Sequence, residues 1–213
     1  MREQRRNVPI VVIKRLPRYY RYLSDLLAQG VTRISSGELS KKMGVTASQI
    51  RQDFNYFGGF GQQGYGYNIR NLHAEIAEIL GLSQGYQTII LGAGNLGHAL
   101  ANHAGFERRG FHLIGLFDKK PELIGTEING LTVLSIDELE SFCQTKQVDI
   151  AILAVPKAAM ESVIPRLMKL KIKGLWNFSY ADVAVPDNIA VENVHLTDSL
   201  MTLSYKITEA ENK

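Results

Sequence analysis

Residues 87–91, QTIIL, run directly into the glycine-rich segment GAGNLG at 92–97. The first segment is a short apolar run of the kind that forms a buried parallel strand. A second strand, predicted over 111–117, ends in Asp118, twenty-one residues beyond Gly97. A lone glycine motif is weak evidence. A strand, a glycine turn, a helix, a second strand and a terminal acid in this order predict a dinucleotide-binding fold.

The glycines and the acid each have an expected role. Gly92 permits the tight turn, Gly94 lets the backbone approach a pyrophosphate, and Gly97 lets the helix pack closely on the strand. The helix, expected from His98, presents free N–H groups to the pyrophosphate. Asp118 is expected to bind the adenosine ribose hydroxyls and to repel a 2′-phosphate, which favours NAD(H) over NADP(H). The following Lys119-Lys120 pair could instead screen Asp118 or contact a phosphate.

The chain continues with the alternation of a doubly wound parallel sheet. Strands are predicted over 131–136, 148–155 and 174–178, and helices over 137–146 and 157–170. Ligands of such sheets lie beyond the carboxyl ends of the strands, so the nicotinamide half is expected there. An ordinary core would explain Val155, Trp176 and Phe178 equally well. The predicted cofactor-binding residues are Gly92, Ala93, Gly94, Asn95, Leu96, Gly97, Asp118, Lys119, Val155, Pro156, Asn177 and Phe178.

Charge is distributed unevenly, although the formal net charge is only +3. Residues 1–75 carry twelve Lys/Arg and five Asp/Glu, which gives +7, whereas residues 76–213 carry twelve and sixteen, which gives −4. A basic first part joined to a mildly acidic remainder suggests a polyanionic partner. A solvated basic surface would explain the charge alone about as well.

The basic part contains the pattern of a helix-turn-helix. A first helix is expected to have Pro17 in its first turn, where the missing N–H costs little, and to end at Gly30. Two capping boxes follow, Ser35 with Glu38 and Thr46 with Gln49, and Gly44 lies in the turn between their helices. Two short capped helices joined by a glycine-containing turn are typical of this DNA-binding motif.

The second capped helix, predicted to extend to about Phe57, faces base edges in the major groove in that motif. It offers arginine for guanine, glutamine for adenine, and serine and threonine for phosphates. Arg51 and Gln52 in an isolated helix would more simply be exposed polar residues. The surrounding charge and the next segment favour DNA contact. The candidates on this helix are Thr46, Ser48, Gln49, Arg51 and Gln52.

Five glycines lie among aromatic residues in FGGFGQQGYGY at 57–67. No Lys-Ser/Thr pair follows, as a phosphate-binding loop would require. A flexible hairpin, the wing of a winged helix, fits better because its glycines allow close approach to a phosphate chain. Asn68 is then predicted to cap a helix over 69–80.

The sequence argues against an enzyme and against a membrane protein. The tail after the last strand is too short for a catalytic domain, and no tyrosine is followed by lysine four residues on. The five histidines show no close metal-ligand spacing, and Cys143 is the single cysteine. No apolar run approaches the roughly 18 residues that span a bilayer, and no signal core is present. We expect a cytoplasmic protein. A small NAD(P)-dependent oxidoreductase, or a regulator sensing coenzyme A or NADPH, remains an alternative.

The tail at 196–211 is predicted to be a helix with one apolar stripe, formed by Leu196, Leu200, Leu203 and Ile207. Such a stripe must pack on something, either its own domain or a partner subunit.

Several motifs together resemble the Rex family of redox-sensing repressors over nearly the whole chain. They are RLPRYYR (15–21), SQIRQDFNYFG (48–58), GYGY (64–67), GAGNLG (92–97), FD (117–118), AVP (154–156) and NF (177–178). The resemblance implies a homodimer with a swapped C-terminal helix and an operator that is an A/T-rich inverted repeat of double-stranded DNA. It also implies that NADH binding relieves repression, while NAD⁺ competes weakly and favours the DNA-bound form.

We therefore predict an α/β chain with a winged-helix domain at 1–81, a Rossmann-like NAD(H)-binding domain at 86–195 and a swapped helix at 196–213. Within the first domain the helix-turn-helix is expected at about 18–57 and the wing at about 58–67. The predicted DNA-contacting residues are Arg15, Thr46, Ser48, Gln49, Arg51, Gln52, Tyr56, Gln63 and Tyr65.

Three positions depart from the family pattern. Gln52 stands where lysine is frequent, and His103 and His195 stand where a tyrosine and an aspartate are frequent. In the family that last pair helps to couple the nucleotide to the DNA-binding domains. Two histidines cannot form the same charge-assisted contact, so the coupling role is not carried over. They could add pH sensitivity near neutrality.

Overall fold

The computed structural model describes residues 8–58, 61–62 and 65–212. The chain divides into two compact units, Met1–Gln84 and Gly85–Lys213. Among the described residues, no helix combines the length and the apolar character that crossing a membrane requires.

The described residues of the first unit form four helices and three short strands. The helices are α1 (Ile10–Ala28), α2 (Ser36–Met43), α3 (Ala47–Asn55) and α4 (Ile69–Ile79), and the strands are β1 (Arg33–Ile34), β2 (Gly61–Gln62) and β3 (Gly66–Asn68). Strands β1 and β2 each pair antiparallel with β3. A helix-turn-helix followed by a small antiparallel sheet is a winged-helix architecture, as predicted. The predicted wing residue Gln63 lies outside the described residues.

Helix α1 begins earlier than expected. Its N-cap is Pro9, and Pro17 lies inside the helix rather than in its first turn. A proline there removes one backbone hydrogen bond and costs roughly 3 kcal/mol. The helix nevertheless continues because its buried stripe spans the proline, from Val12 and Leu16 to Tyr19 and Leu23.

The two predicted capping boxes differ in the structure. At α2 both halves form: the Ser35 hydroxyl accepts from the Glu38 N–H, and Glu38 accepts from the Ser35 N–H. At α3 the Thr46 hydroxyl accepts from the Gln49 N–H, but the Gln49 side chain donates to Asp53 instead of the N-cap. The second box is therefore half formed, and α3 ends at Asn55, two residues before the predicted end.

The second unit contains a seven-stranded sheet with the order β10-β9-β8-β4-β5-β7-β6. The strands are β4 (Tyr86–Leu91), β5 (Phe111–Asp118), β6 (Glu127–Ile128), β7 (Leu131–Ser135), β8 (Ile150–Leu153), β9 (Gly174–Asn177) and β10 (Ala190–Asn193). All neighbours pair in parallel except the β6–β7 hairpin. Winding outward from β4 in both directions is the predicted doubly wound topology.

Helices α5 (Asn95–Ala101), α6 (Leu139–Thr145) and α7 (Met160–Leu167) accompany this sheet. Because successive side chains of β4 point to opposite faces, Ile89 and Leu91 join one core cluster and Ile90 joins another. This two-sided burial explains why the strand ends in the uninterrupted apolar run Ile89-Ile90-Leu91. Helix α5 begins at Asn95, three residues before the expected start. Strands β6 and β10 were not predicted.

The last helix, α8 (Leu196–Glu211), has the predicted extent, and all of its residues are exposed. Leu196, Leu200, Leu203 and Ile207 are each at least half exposed, as are Met201 and Tyr205. The apolar stripe is therefore uncovered in the single chain.

Candidate nucleotide site and nucleic-acid interface

The glycine turn lies at the switch point of the sheet, where β4 and β8 are neighbours and the chain winds away in opposite directions. Gly92 follows β4 with a φ of 99°, a left-handed conformation that favours glycine. A Cβ at Gly92 would lie 2.5 Å from the carbonyl oxygen of Ala154, just beyond β8. The two strand ends therefore approach each other so closely that no side chain fits. Doubly wound sheets bind their ligands in this crevice.

The other two glycines differ in what surrounds them. A Cβ at Gly97 would lie 1.7 Å from the Gly92 carbonyl oxygen, so Gly97 is required for packing α5 against the turn. A Cβ at Gly94 would meet no atom within 4 Å, and Gly94 has an ordinary negative φ of −65°. The backbone at Gly94 thus borders open space, as a pyrophosphate-binding position should. The contact agrees with the packing role expected of Gly97, whereas pyrophosphate binding at Gly94 stays a prediction.

The Asp118 carboxylate supports the glycine turn. Its Oδ2 accepts a hydrogen bond from the Ala93 N–H at 2.7 Å, and its Oδ1 accepts from the Lys120 N–H at 2.9 Å. An ionised carboxylate has about four acceptor positions, so two remain for a ligand. Lys119 and Asn95 are exposed beside this acid and turn, while Leu96 packs partly into the core.

The residues predicted near the nicotinamide half fall into two groups. Pro156 is exposed and Val155 is half-buried, with its Cγ1 3.1 Å from the Cβ position of Gly92. Phe178 is buried and packs edge-on against Trp176, with ring centroids 4.7 Å apart. Val155 and Pro156 therefore border the switch point, whereas Phe178 belongs to the core.

Asn177 is fully buried, and its polar atoms are engaged within the protein. Its Nδ2 donates to the Ala181 carbonyl and to Asn193 Oδ1, each at 2.8 Å. Its Oδ1 accepts from the N–H and the hydroxyl of Ser179. Asn177 thus fixes the chain after β9 and ties it to β10. Its side chain thus has no free polar group for a ligand, and the expectation that Asn177 neighbours the nicotinamide half stays a prediction.

The predicted recognition helix presents a row of exposed side chains. Ser48, Arg51 and Gln52 are exposed, as is Thr46 at the cap. The Arg51 guanidinium donates through Nη1 to the Ser36 hydroxyl at 3.0 Å. This contact places the Arg51 guanidinium against the start of α2. Tyr56, the C-cap of α3, is also exposed.

A buried carboxylate behind this row was not predicted. Asp53 is 0% exposed and accepts from Arg15 Nε at 2.7 Å, Arg15 Nη2 at 2.6 Å, the Tyr19 hydroxyl at 2.8 Å and Gln49 Nε2 at 3.0 Å. The position could have been noticed, because Asp53 shares the apolar face of α3 with Ile50 and Phe54. We call these four residues, Arg15, Tyr19, Gln49 and Asp53, the Asp53 cluster.

The Asp53 cluster changes the interpretation of two predicted DNA contacts. Arg15 and Gln49 both donate to Asp53, so their side chains connect α1 to α3 rather than standing free on the surface. Burial alone would raise the pKa of Asp53, but the hydrogen bonds from Arg15, Gln49 and Tyr19 outweigh it and lower the pKa. Burial, together with the bond to Asp53, raises the pKa of Tyr19 well above its ordinary value. The carboxylate is therefore charged, and the phenol is neutral and donates to it.

The wing contributes one exposed aromatic side chain among its described residues. Tyr65 is 70% exposed, its carbonyl accepts from Arg33, and the Arg33 guanidinium lies 6.0 Å from its ring centroid. Gly66 has a φ of 68°, and a Cβ there would lie 2.6 Å from the Ile34 carbonyl oxygen. The glycine thus allows β3 to pass close to β1 and present Tyr65 outward.

The two unusual histidines have separate surroundings. His103 packs edge-on against Phe106 at 4.7 Å, whereas His195 stacks parallel on Tyr180 at 5.3 Å and lies 3.7 Å from Asp198. Within the described part of the chain, no group of three His, Cys, Asp or Glu residues is arranged to hold a metal ion.

A winged helix-turn-helix joined to a dinucleotide-type sheet defines a class of protein, the DNA-binding regulators that respond to a nucleotide. Two family models agree with the two halves. Residues 7–55 match the family described as "Putative DNA-binding protein N-terminus", and residues 83–181 match the family described as "CoA binding domain".

Relatives with about 50% sequence identity align with nearly the whole chain. The redox-sensing transcriptional repressor Rex of Thermoanaerobacter pseudethanolicus is 54% identical, over 96% of this chain and 92% of its own length. Rex of Clostridioides difficile is 53% identical, over 97% and 98%. The chain therefore belongs to the Rex family of redox-sensing transcriptional repressors, whose members are named as repressors rather than enzymes.

Solved structures agree with this assignment. A crystal structure of the Rex-family repressor RSP in complex with NAD⁺ and operator DNA is 53% identical, with a TM-score of 0.89, and covers 96% of this chain and 94% of its own. The structure of RSP in complex with NADH is 50% identical, with a TM-score of 0.90, and covers 96% of each chain.

Proposed function

We propose that this protein is a homodimeric transcriptional repressor that senses the NADH/NAD⁺ ratio. It binds an A/T-rich inverted-repeat operator, and NADH releases it. The observation that carries the proposal is the combination in one chain of a recognition helix with exposed Ser48, Arg51 and Gln52 and a glycine turn open at Gly94. Relatives of nearly equal length have been crystallised with operator DNA and with both forms of the cofactor.

The DNA-binding half is proposed to use its residues in two ways. Ser48, Arg51 and Gln52 face base edges, with Thr46, Tyr56, Gln63 and Tyr65 at the phosphate backbone. Arg15 and Gln49 contribute indirectly: they donate hydrogen bonds to Asp53, and these bonds set the orientation of α3 on α1. DNA binding requires Arg51 to exchange its bond with Ser36 for a base or a phosphate.

The nucleotide half is proposed to bind NADH with its pyrophosphate at Gly94 and its adenosine ribose at Asp118. A free lone pair on each Asp118 oxygen suits the two ribose hydroxyls, and its negative charge disfavours the 2′-phosphate of NADPH. The nicotinamide half then extends across the switch point toward Val155 and Pro156. NAD⁺ occupies the same site more weakly.

The dimer is proposed to form through α8. Its apolar residues are exposed along the whole helix in the single chain, so a second subunit that exchanges this helix would cover them. The domain limits follow as proposed earlier, with the winged helix at 1–81, the NAD(H) domain at 86–195 and the exchanged helix at 196–213. A repressor of chromosomal promoters acts in the cytoplasm.

One titration tests the proposal. NADH, NAD⁺ and NADPH are each added to the complex of the protein with an inverted-repeat duplex, and the fraction of duplex that stays bound is measured by gel shift. We expect NADH to release the DNA, and operator DNA to weaken NADH binding by the same factor, with a coupling of about 1–3 kcal/mol. Release by coenzyme A or NADPH instead would identify a different sensor. NADH turnover with a carbonyl substrate would indicate an oxidoreductase.

The recognition helix is tested by Arg51→Ala. We expect this variant to lose roughly 1–3 kcal/mol of operator affinity and to retain its NADH affinity. Arg21→Ala, an exposed arginine on α1, is the matched control for loss of one positive charge. Full operator affinity in the Arg51 variant would mean that α3 is not the reading helix.

A further inference from the structure

A second concave site lies at the edge of the sheet opposite the nucleotide crevice. It is a groove of about 600 Å³, lined by residues 143–148 and 169–173. These segments immediately precede β8 and β9, so they meet at the amino-terminal edge of the parallel sheet. The glycine turn follows β4 and lies at the carboxyl edge. The groove is therefore separate from the proposed NADH site.

The groove is strongly basic. Lys146, Lys169, Lys171 and Lys173 line it, and none of the described lining residues is acidic. The nearest buried acid, Asp149, is already engaged. It accepts from Lys173 Nζ at 2.6 Å, from the Gln87 N–H at 2.9 Å and from Gln147 Nε2 at 3.0 Å. It offsets one lysine and leaves a net positive groove.

The local sequence explains why the lysines gather there. In the segment KLKIK at 169–173, Leu170 and Ile172 pack into the core, so the three lysines between and beside them remain exposed. Lys146 comes from the other segment, and its Nζ lies 4.8 Å from the ring centroid of Phe142. Two separate segments thus contribute lysines to the lining of one groove.

The chemistry of the groove favours phosphate groups. Lysine ammonium groups are compact point charges that bind phosphate oxygens, and Gln144, Thr145 and Gln147 add neutral hydrogen-bonding groups. The volume lies within the range of small-molecule sites, about 300–1,000 Å³. No aromatic side chain is among the described lining residues, so a base would find no stacking surface.

We propose that this lysine groove is a second ligand site, which binds the di- or triphosphate group of a small metabolite independently of NADH. Recognition depends on the phosphate chain and not on the base attached to it. Inorganic pyrophosphate and ATP should therefore compete for the same site.

The test measures pyrophosphate and ATP binding by calorimetry in the Gly94→Val background, where the proposed NADH site is obstructed. We expect saturable binding of one pyrophosphate per chain. The double change Lys146→Glu/Lys171→Glu should weaken it at least tenfold, and Lys146→Gln/Lys171→Gln by less. The matched control for the single change Lys171→Glu is Arg108→Glu, which reverses one exposed charge before β5, at the same sheet edge but outside the groove. It should change binding less than twofold.

Three outcomes would overturn the proposal. One is absence of saturable pyrophosphate binding. Another is an equal loss in the Arg108→Glu variant, which would indicate general attraction to a basic surface. The third is tight binding of RNA without competition by pyrophosphate, which would indicate a macromolecular partner. Because Lys146 and Lys171 are both exposed, their charge reversal should not disturb folding, which an unchanged circular dichroism spectrum of the variants checks. Failure of the NADH proposal itself would leave the pyrophosphate result unchanged.

Discussion

The two units each place one aspartate beside their functional element, and the two carboxylates differ in what they have left to bind. Asp53 is fully buried and accepts four hydrogen bonds from side chains of α1 and α3. Asp118 is partly exposed and accepts two hydrogen bonds, both from backbone N–H groups. A carboxylate has about four acceptor positions. Asp53 is therefore saturated, whereas Asp118 retains capacity for a ligand.

The difference shows how the same side chain serves as a structural anchor in one place and a binding group in another. Asp53 sets the position of the helix that reads DNA without itself reaching the surface. Asp118 holds the glycine turn with one lone pair of each oxygen and offers the other to solvent. Changes at Asp53 should therefore act on stability first, and changes around Asp118 on ligand affinity first.

The largest effect is expected for Asp53→Ala. The substitution leaves the Arg15 guanidinium and the Tyr19 hydroxyl without their acceptor, and breaking a buried ion pair costs 3–5 kcal/mol. Because Arg15 retains 22% side-chain exposure, we expect the lower end, about 3 kcal/mol. Urea unfolding followed by circular dichroism measures the loss. Asp25→Ala, which removes an exposed acid from α1, should change stability by less than about 0.5 kcal/mol. Equal stability of the two variants would contradict the anchoring role.

The next effect is expected for Gly94→Val. A Cβ at this position meets no protein atom and the φ is ordinary, so the unit should fold with unchanged stability. The side chain would occupy the space proposed for the pyrophosphate. NADH affinity should fall at least 100-fold, which is about 2.7 kcal/mol, while operator binding persists and ignores NADH. Fluorescence titration of NADH and gel shift measure the two properties.

Gly97→Ala provides the contrast to Gly94→Val. Its Cβ would lie 1.7 Å from the Gly92 carbonyl oxygen, so the backbone must shift and stability must fall together with NADH binding. Loss of stability in the Gly94 variant, or its absence in the Gly97 variant, would mean that the two glycines do not have distinct roles.

The two regions also differ in how far the sequence predicts them. The nucleotide half could be predicted closely because the glycine segment directly follows the apolar strand and Asp118 ends the next strand, at the spacing of a known motif. The Asp53 cluster could not, because Arg15 and Asp53 are 38 residues apart and each is an ordinary charged helix residue in isolation. Strand β10 was missed because its residues are largely exposed and form no apolar run. The start of α1 was predicted too late because a proline inside a helix is locally unfavourable. Burial of the apolar stripe along α1 outweighs that cost, and local helix propensity does not include burial.

A smaller effect is expected for Asp118→Asn. The amide can accept from one of the two backbone N–H groups, but its NH₂ faces the other, and the negative charge is lost. We expect NADH affinity to fall about tenfold, or 1.4 kcal/mol, and NADPH to be discriminated less strongly than before. The comparison of NADH and NADPH affinities tests this, with the exposed Asp187→Asn as the control. An unchanged preference for NADH would place the ribose elsewhere.

The smallest effect is expected for Ser36→Ala, which tests whether the bond to Ser36 holds Arg51 away from the DNA. The Ser36 hydroxyl accepts from Arg51 at an exposed position, and the cap of α2 is made by Ser35, so folding should be unaffected. Releasing Arg51 removes a contact that DNA must otherwise break. Operator affinity should therefore rise by about 0.5 kcal/mol, within the net value of one exposed hydrogen bond. The control is Ser40→Ala on the same helix. The Ser40 hydroxyl donates to the Gly37 carbonyl and not to Arg51, so operator affinity should stay unchanged. A fall in operator affinity for the Ser36 variant would instead mean that the Ser36 hydroxyl orients Arg51 for DNA contact, and that the Arg51–Ser36 bond persists in the complex.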